Sequence, residues 1–522
     1  MAREAIAVGL DIGTTKVCTV VGHGDASGRI TITGVGLVPS RGMRKGVVID
    51  VEDTIAAVRD SVERARHMAG YDFRSVCAGV TGDHIQSSNL RGTITVAGPD
   101  GTITPEDVER VLQAAALDVP RDREIIHSLP RYFAVDGQRG VRRPVGMRGR
   151  RLEVETHVVT GTASFLQNVV QCVEGANLTV DSLVLEPIAT SEAVATADER
   201  ELGVALIDIG GGTSDIAVFV EGSIAFSGVV SVGGHHVTRD ISIGLRTPFD
   251  IAERLKIERG VASPNMIQHG EALEIMTAGS GERLRLPRAV LGEIIEARMT
   301  ELFEMARDML GDAGLLHRLP AGVILTGGGA LLPGGLELAG EIFQAPVRLG
   351  KPFFVEGWSD QVDSPQFATA VGLLRFALRH NDPGAQALPA GALAASGPMI
   401  AANLTAPSAP QPIADFNRRA WGAPASEPAA MNNEPLVEAP APETPDISSE
   451  VGAEAGQTPF DRVQGQSLAV PSNRDNSLDT ARRERDAFFF DAHDDDREVK
   501  PPRTFWQKAM HKLREIIGFE MN

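Results

Sequence analysis

Along the first 380 residues the hydrophobic positions fall into two patterns. Short apolar blocks that stop at a glycine or a polar turn read as strands: 6–12 with its partner from Val17, 76–80, 207–209, 216–218 and 323–325. The stretch 180–185 reads as a further strand. Apolar residues spaced three and four apart read as helices. Val51, Ile55, Val58 and Val62 place one over 47–68, and others are predicted over 164–176, from Glu186, from Asp250, over 289–310 and over 368–374. Residues 83–163 carry their own set. Strands are expected at 92–96, 124–129 and 152–160, and a helix starts at Thr104, with Pro105 at its first position and Asp107 in its first turn. From 383 both periods lapse. Fourteen of the 31 prolines lie between Pro383 and Pro471, which predicts a disordered linker over 383–502, on the order of 60 Å in mean span. The helical period returns at the end, where Phe505, Trp506, Ala509, Met510, Leu513, Ile516 and Ile517 form one stripe of an amphipathic helix over 503–519.

Three of the strands end in turns that can do chemistry. Asp208 leads into Gly210, Gly211, Gly212, Thr213, Ser214 and Asp215 before a second apolar strand. Bare glycines let backbone N–H groups face an anion, hydroxyls add donors, and acids hold a divalent ion through its water shell. The same design occurs near the N-terminus as Asp11, Gly13, Thr14, Thr15 and Lys16. Two copies of strand, Asp-x-Gly turn and strand imply a duplicated domain holding a phosphate chain between its halves. The third cluster, Gly327, Gly328 and Gly329 after the strand at 323–325, leaves room for close approach of a nucleotide at a helix start.

These turns, in this order, resemble the ATP-binding signatures of the actin/Hsp70/sugar-kinase superfamily, and within it the FtsA family of bacterial cell-division proteins. The resemblance covers residues 1 to about 380 and the terminal helix. It implies an α/β, actin-like two-lobe fold of duplicated RNase H-like domains with inserted subdomains: 1A over 1–82 and 164–201, an inserted 1C over 83–163, 2A over 202–245 and 323–382, and 2B over 246–322. It implies ATP and Mg²⁺ as cofactors, with Asp11 and Asp208 holding the metal through water and the three glycine turns with Thr14, Thr15, Lys16 and Thr213 cradling the nucleotide. Glu253 and Lys256 are implied to reach the nucleoside, although an i, i+3 surface pair is the plain alternative. Glu186 is either a water-orienting acid or a helix N-terminal acid favoured by the dipole. The family further implies a polymer on the cytoplasmic face of the cell membrane at the division site. There the chain would bind the FtsZ tail through 2B, near 283–298, and recruit later division proteins. Phe505, Trp506, Met510, Leu513, Ile516 and Ile517 would enter the membrane.

Charge and composition narrow this further. A net charge of −19 argues against a general nucleic-acid partner. Cys18, Cys77 and Cys172 form no CxxC pair, so neither a disulfide framework nor a zinc site is expected. The N-terminus lacks a signal-peptide core, and no apolar run is long enough to span a bilayer. Six arginines within 139–151 read as a solvated loop or a ligand site, and Phe488, Phe489 and Phe490 as a docking motif or a plain tail. A sugar- or acetate-kinase on the same fold is the enzyme alternative, but no segment supplies an evident general base for a second substrate. The expected activity is at most that of a weak ATPase. A chaperone of the Hsp70 type would need a β-rich domain where the proline-rich stretch lies.

Overall fold

The computed structural model describes residues 6–24, 29–98, 100–116, 119–120, 122–277 and 283–380. The linker expected over 383–502, the Phe488–Phe490 segment and the helix expected over 503–519 lie outside these residues.

The first lobe starts with β1 (Ile6–Ile12), β2 (Lys16–Gly24) and β3 (Ile30–Pro39), an antiparallel meander. A two-residue turn then joins β4 (Met43–Arg44) to β5 (Val47–Val48). Helix α1 (Val51–Ala69) follows. It starts four residues later than its apolar period suggests, because Lys45 and Gly46 adopt positive φ and Asp50 caps the helix by accepting from the Asp53 N–H. Strand β6 (Ser75–Val80) lies parallel to β1.

Here the inserted segment begins. It comprises β7 (Gln86–Thr95), α2 (Pro105–Ala115), β8 (Arg123–Val135), β9 (Gln138–Val141) and β10 (Arg151–Thr162), in a sheet of order β7-β10-β8-β9. Helix α2 opens with a reciprocal capping box between Thr104 and Asp107. The segment has its own small core, including Ile103, Leu112, Phe133 and Leu152. The chain then returns through α3 (Ala163–Gly175), β11 (Thr179–Leu185), α4 (Glu186–Val194) and α5 (Ala197–Leu202).

The second lobe repeats the plan. It contains β12 (Val204–Ile209), β13 (Ser214–Val220), β14 (Ser223–Val230), α6 (Gly234–Gly244), α7 (Phe249–Arg259), β15 (Ala272–Met276), β16 (Arg283–Pro287), α8 (Arg288–Asp312), β17 (Val323–Thr326), α9 (Gly335–Phe343) and β18 (Val347–Leu349). The region 246–322, expected to be helical, also holds the β15–β16 hairpin. Leu273, Ile275 and Leu286 bury one face of it while Ala272, Glu274 and Met276 stay exposed, a period of two that is too short to stand out. The central sheets read β3-β2-β1-β6-β11 and β14-β13-β12-β17-β18. In both, the first three strands are antiparallel and the last two join in parallel. The duplication implied by the two Asp-x-Gly turns is therefore a duplication of topology.

The chain finally crosses back. β19 (Val355–Gly357) adds to the β3 edge of the first lobe, and α10 (Ser359–Val362) leads to α11 (Ala368–His380). Helix α11 packs on α4 and β1 without room for larger residues. A Cβ on Gly372 would fall 2.0 Å from the Ala189 carbonyl oxygen, and one on Gly9 would fall 2.3 Å from that of Ala370. These two close-packed helices join the lobes at the floor of a cleft. Among the described residues no helix is long and apolar enough to cross a membrane.

Candidate nucleotide cleft

The β1–β2 and β12–β13 turns face each other across that cleft. A cavity of about 360 Å³ opens between them, within the size range of small-ligand pockets. Asp11, Gly13, Thr14, Thr15 and Lys16 line it from one side. From the other come Asp208, Gly210, Gly211 and Thr213, with Gly327, Gly328 and Gly329 of the third turn and Glu253 and Lys256 of α7, while Glu186 of α4 lines it from the first lobe beside β6. Each of these residues was expected at a nucleotide site. Gly212 was expected too but does not line the cavity; a Cβ there would sit 2.8 Å from Thr14 Oγ1 and 3.0 Å from the Lys45 backbone. The two turns pack tightly at Gly211, where a Cβ would lie 2.3 Å from Thr15 Cγ2.

Four buried carboxylates gather at the cleft floor: Asp11, Asp208, Asp215 and Glu186. Lys16 Nζ pairs with Asp11. Burial disfavours the Lys16 ammonium, but the Asp11 carboxylate outweighs this, with Asp208 adding, and its pKa lies above the ordinary lysine value. Asp208 accepts from Thr369 Oγ1 at 2.8 Å and Thr190 Oγ1 at 3.0 Å, one hydroxyl from each connecting helix. Asp215 accepts from Thr213 Oγ1 at 3.2 Å and, across the cleft, from Thr81 at the end of β6. Burial and the neighbouring carboxylates push Asp215 up to about 7, against the pull of the Thr81 bond. Glu186 is raised well above the ordinary range, first by burial and then by Asp11, Asp215 and Asp208. One ammonium against four crowded carboxyls leaves a surplus of negative charge that a divalent cation would relieve. Among the described residues no three such side chains are spaced to ligate a metal directly, so an ion here would draw on water and ligand oxygens.

The α7 pair makes the i, i+3 contact expected of it. Lys256 Nζ lies 2.8 Å from Glu253 Oε2 and also donates to the Gly234 carbonyl at 3.1 Å and Thr238 Oγ1 at 2.9 Å. It is an i, i+3 pair, yet it is docked against the N-terminus of α6 and faces the cavity. Helix α6 starts immediately beside the second turn, where the Gly234 N–H donates to Gly210 O at 2.9 Å and the His235 N–H to Gly211 O at 2.8 Å. Thr81, Thr190 and Thr369 were not expected at the site. Each is a lone threonine at a strand end or in a helix, so nothing in its neighbours along the chain marks it.

Two surface expectations need correction or detail. Within 283–298, Arg298 is not at the surface. It is buried and paired with Asp240 of α6 at 2.5 Å and with Glu301, and Arg288 pairs with Glu271 at 2.7 Å. The charged residues left exposed there are Arg283 and Arg285, with Arg288, Glu293 and Glu296 half-buried. In the arginine-rich piece, Arg142 bonds Glu201 at 2.8 Å and Arg151 pairs with Glu153, the arrangement of a solvated surface.

A family profile described as "Cell division protein FtsA" matches residues 205–372, and a second, "SHS2 domain inserted in FTSA", matches residues 82–160. The "Cell division protein FtsA" of Pseudomonas aeruginosa is 42% identical over 378 residues, covering 72% of this chain and 90% of that protein. Its namesake in Bacillus subtilis is 37% identical over 381 residues, covering 73% and 85%. Among solved structures, the "PilM-PilN type IV pilus biogenesis complex" shares the fold at 18% identity, with a TM-score of 0.54 over 71% of this chain and 98% of the other.

Proposed function

Because this chain belongs to the FtsA family of cell division proteins, we propose that it is an actin-like scaffold whose cleft binds Mg²⁺-ATP and whose polymers tie the division apparatus to the cytoplasmic face of the cell membrane. The observation that carries the reading is the facing pair of Asp-x-Gly turns, one from each half of a duplicated fold, around a cavity with surplus carboxylate charge.

In this reading the N–H groups of Gly13 to Thr15 and of Gly210 to Thr213 hold the phosphate oxygens, with Lys16 as a point charge. The turn at Gly327 to Gly329 leaves space for the nucleoside, and Glu253 with Lys256 meets its polar edge. Asp11, Asp208 and Asp215 would hold a magnesium ion through its water shell, and that ion would supply positive charge against the phosphates. Glu186 orients a water molecule beside the phosphates, and turnover is slow, serving to gate assembly. The lobes would close on the ligand because each contributes half of its contacts.

The family supports division-machinery partners. The FtsZ tail would dock on the 246–322 region, where Arg283 and Arg285 are exposed, and later division proteins would follow. The amphipathic stripe of 503–519 would lie in the membrane plane, its apolar side chains inserted and its basic ones among headgroups. Vesicle flotation of wild type, Trp506→Glu and a truncation after Val499, with and without Mg²⁺-ATP, tests this. Wild type should float, more completely with ATP as polymers gather many anchors, while both variants stay in solution. Equal flotation of all three would remove the helix from the account. Rapid ATP-dependent phosphorylation of a sugar or carboxylate would favour the kinase alternative.

A further inference from the structure

The inserted segment touches both lobes. Its base is built into the first, where Ile126, Leu129 and Val159 belong to the same core as Val80 and Leu166. Toward the second lobe it presents hydrogen-bonding groups to β14. Ser87 Oγ donates to the Ser227 carbonyl at 2.6 Å and the Asn89 amide to the Ala225 carbonyl at 3.0 Å. Ser223 Oγ donates in the other direction, to the Arg131 carbonyl at 3.0 Å. The buried ring of His157 lies 2.9 Å from Ser227 Oγ. Farther out, Arg142 donates to the Glu221 carbonyl, in the β13–β14 turn, at 3.3 Å.

On both sides this seam is a short way along the chain from the cleft. Thr81, which bonds Asp215 across the cleft, precedes Ser87 by six residues. In the second lobe Asp215 lies opposite Val229 and Ala217 opposite Ser227, so the cleft acid and the seam share one hairpin. None of Ser87, Asn89, His157, Ser223 and Ser227 lines the cavity. The base of the insert is fixed to one lobe and its hydrogen-bond partners to the other. A rotation that parts the lobes therefore pulls on the Thr81 bond and on the seam together. Such bonds weaken steeply once stretched or bent.

We propose that the seam is a strap that couples the nucleotide cleft to the orientation of the inserted segment. It is made while the lobes are together, as they are here, and it breaks when they part. The proposal rests on the nucleotide reading of the cleft. A ligand gripped by both lobes favours the arrangement in which the seam is made, and by reciprocity an intact seam favours the ligand. Nucleotide binding then holds the insert in one orientation to β14, and nucleotide release frees it.

The test combines amide hydrogen exchange and calorimetry on the full chain, with and without Mg²⁺-ATP, for wild type and the double variant Ser87→Ala, Asn89→Ala. The variant removes two donors of the seam and leaves the apolar base of the insert in place. In wild type, Mg²⁺-ATP should slow exchange at the turns 13–15 and 210–213 and also over 86–90 and 223–228, remote from the cavity. In the variant the turns should still gain protection, the seam should gain none, and ATP affinity should fall about three- to tenfold. Wild type whose turns are protected while its seam is unchanged overturns the proposal. A folded variant that keeps both wild-type ATP affinity and ATP-dependent protection of the seam overturns it too. A folded wild type that binds no ATP overturns the reading of the cleft, and this proposal with it.

Discussion

Acid should weaken the seam between the inserted segment and the second lobe, and one histidine sets the size of the effect. His157 of β10 is 1% exposed. Asn89 donates its amide to the Ala225 carbonyl at 3.0 Å, which turns its oxygen toward His157 Nδ1 at 2.8 Å. Nδ1 therefore carries the hydrogen, and Nε2 accepts from Ser227 Oγ at 2.9 Å. Ser87 completes the seam by donating to the Ser227 carbonyl at 2.6 Å. A second proton on the ring would displace the Ser227 hydroxyl and sit buried near Arg131. Burial, then that cation, lowers the pKa from 6.5 to about 3. The unfolded chain takes up the proton near 6.5, and the folded chain does not until about 3. The stabilisation from a neutral His157 is therefore complete above 6.5 and is lost as pH falls through this window. Between pH 7.5 and 5.0 the loss is about 2 kcal/mol. Urea unfolding of wild type and His157→Gln at both pH values isolates it, since other titrating groups are common to the two proteins. Wild type should lose about 2 kcal/mol more than the variant on acidification. Equal losses would refute the assignment of a buried neutral histidine to this seam.

Gly211→Val would bring a branched side chain to within 2.3 Å of the Thr15 methyl position and force the two phosphate turns apart. The fold should survive at a cost of about 1–3 kcal/mol, while ATP binding is abolished; unchanged affinity in the folded variant would remove these turns from the site. Asp240→Asn strands the Arg298 guanidinium, which is buried between α6 and α8 with Glu301 as its remaining partner. It should destabilise the second lobe by about 3 kcal/mol in urea, and a smaller effect in the Asp240→Asn, Arg298→Met double variant would identify the stranded charge as the cause.

The site was legible where backbone chemistry makes it and hidden where the fold assembles it. Glycine clusters after apolar strands stand out because few other residues leave N–H groups bare, and the structure brings all three clusters to one cavity. Two copies announce a duplication, and both sheets have the same strand order. The β4–β5 turn was absorbed into the period of α1, because Val47 and Val48 extend that apolar series and only the positive φ at Lys45 and Gly46 breaks it. Thr81, Thr190 and Thr369 serve the acids from elements far apart in the chain, so no spacing rule could join them. The seam of Ser87, Asn89 and His157 sits in strands whose polar faces look solvent-bound until β14 lies against them.

The central claim is that the two Asp-x-Gly turns close on a magnesium–triphosphate. Calorimetric titration of the full chain with ATP, in magnesium and in EDTA, measures it most directly. The account predicts saturable binding with one nucleotide per chain, strongly weakened without the cation because the crowded floor carboxyls, offset only by Lys16, would then face the phosphates. Folded protein that takes up no ATP in the presence of magnesium would contradict it.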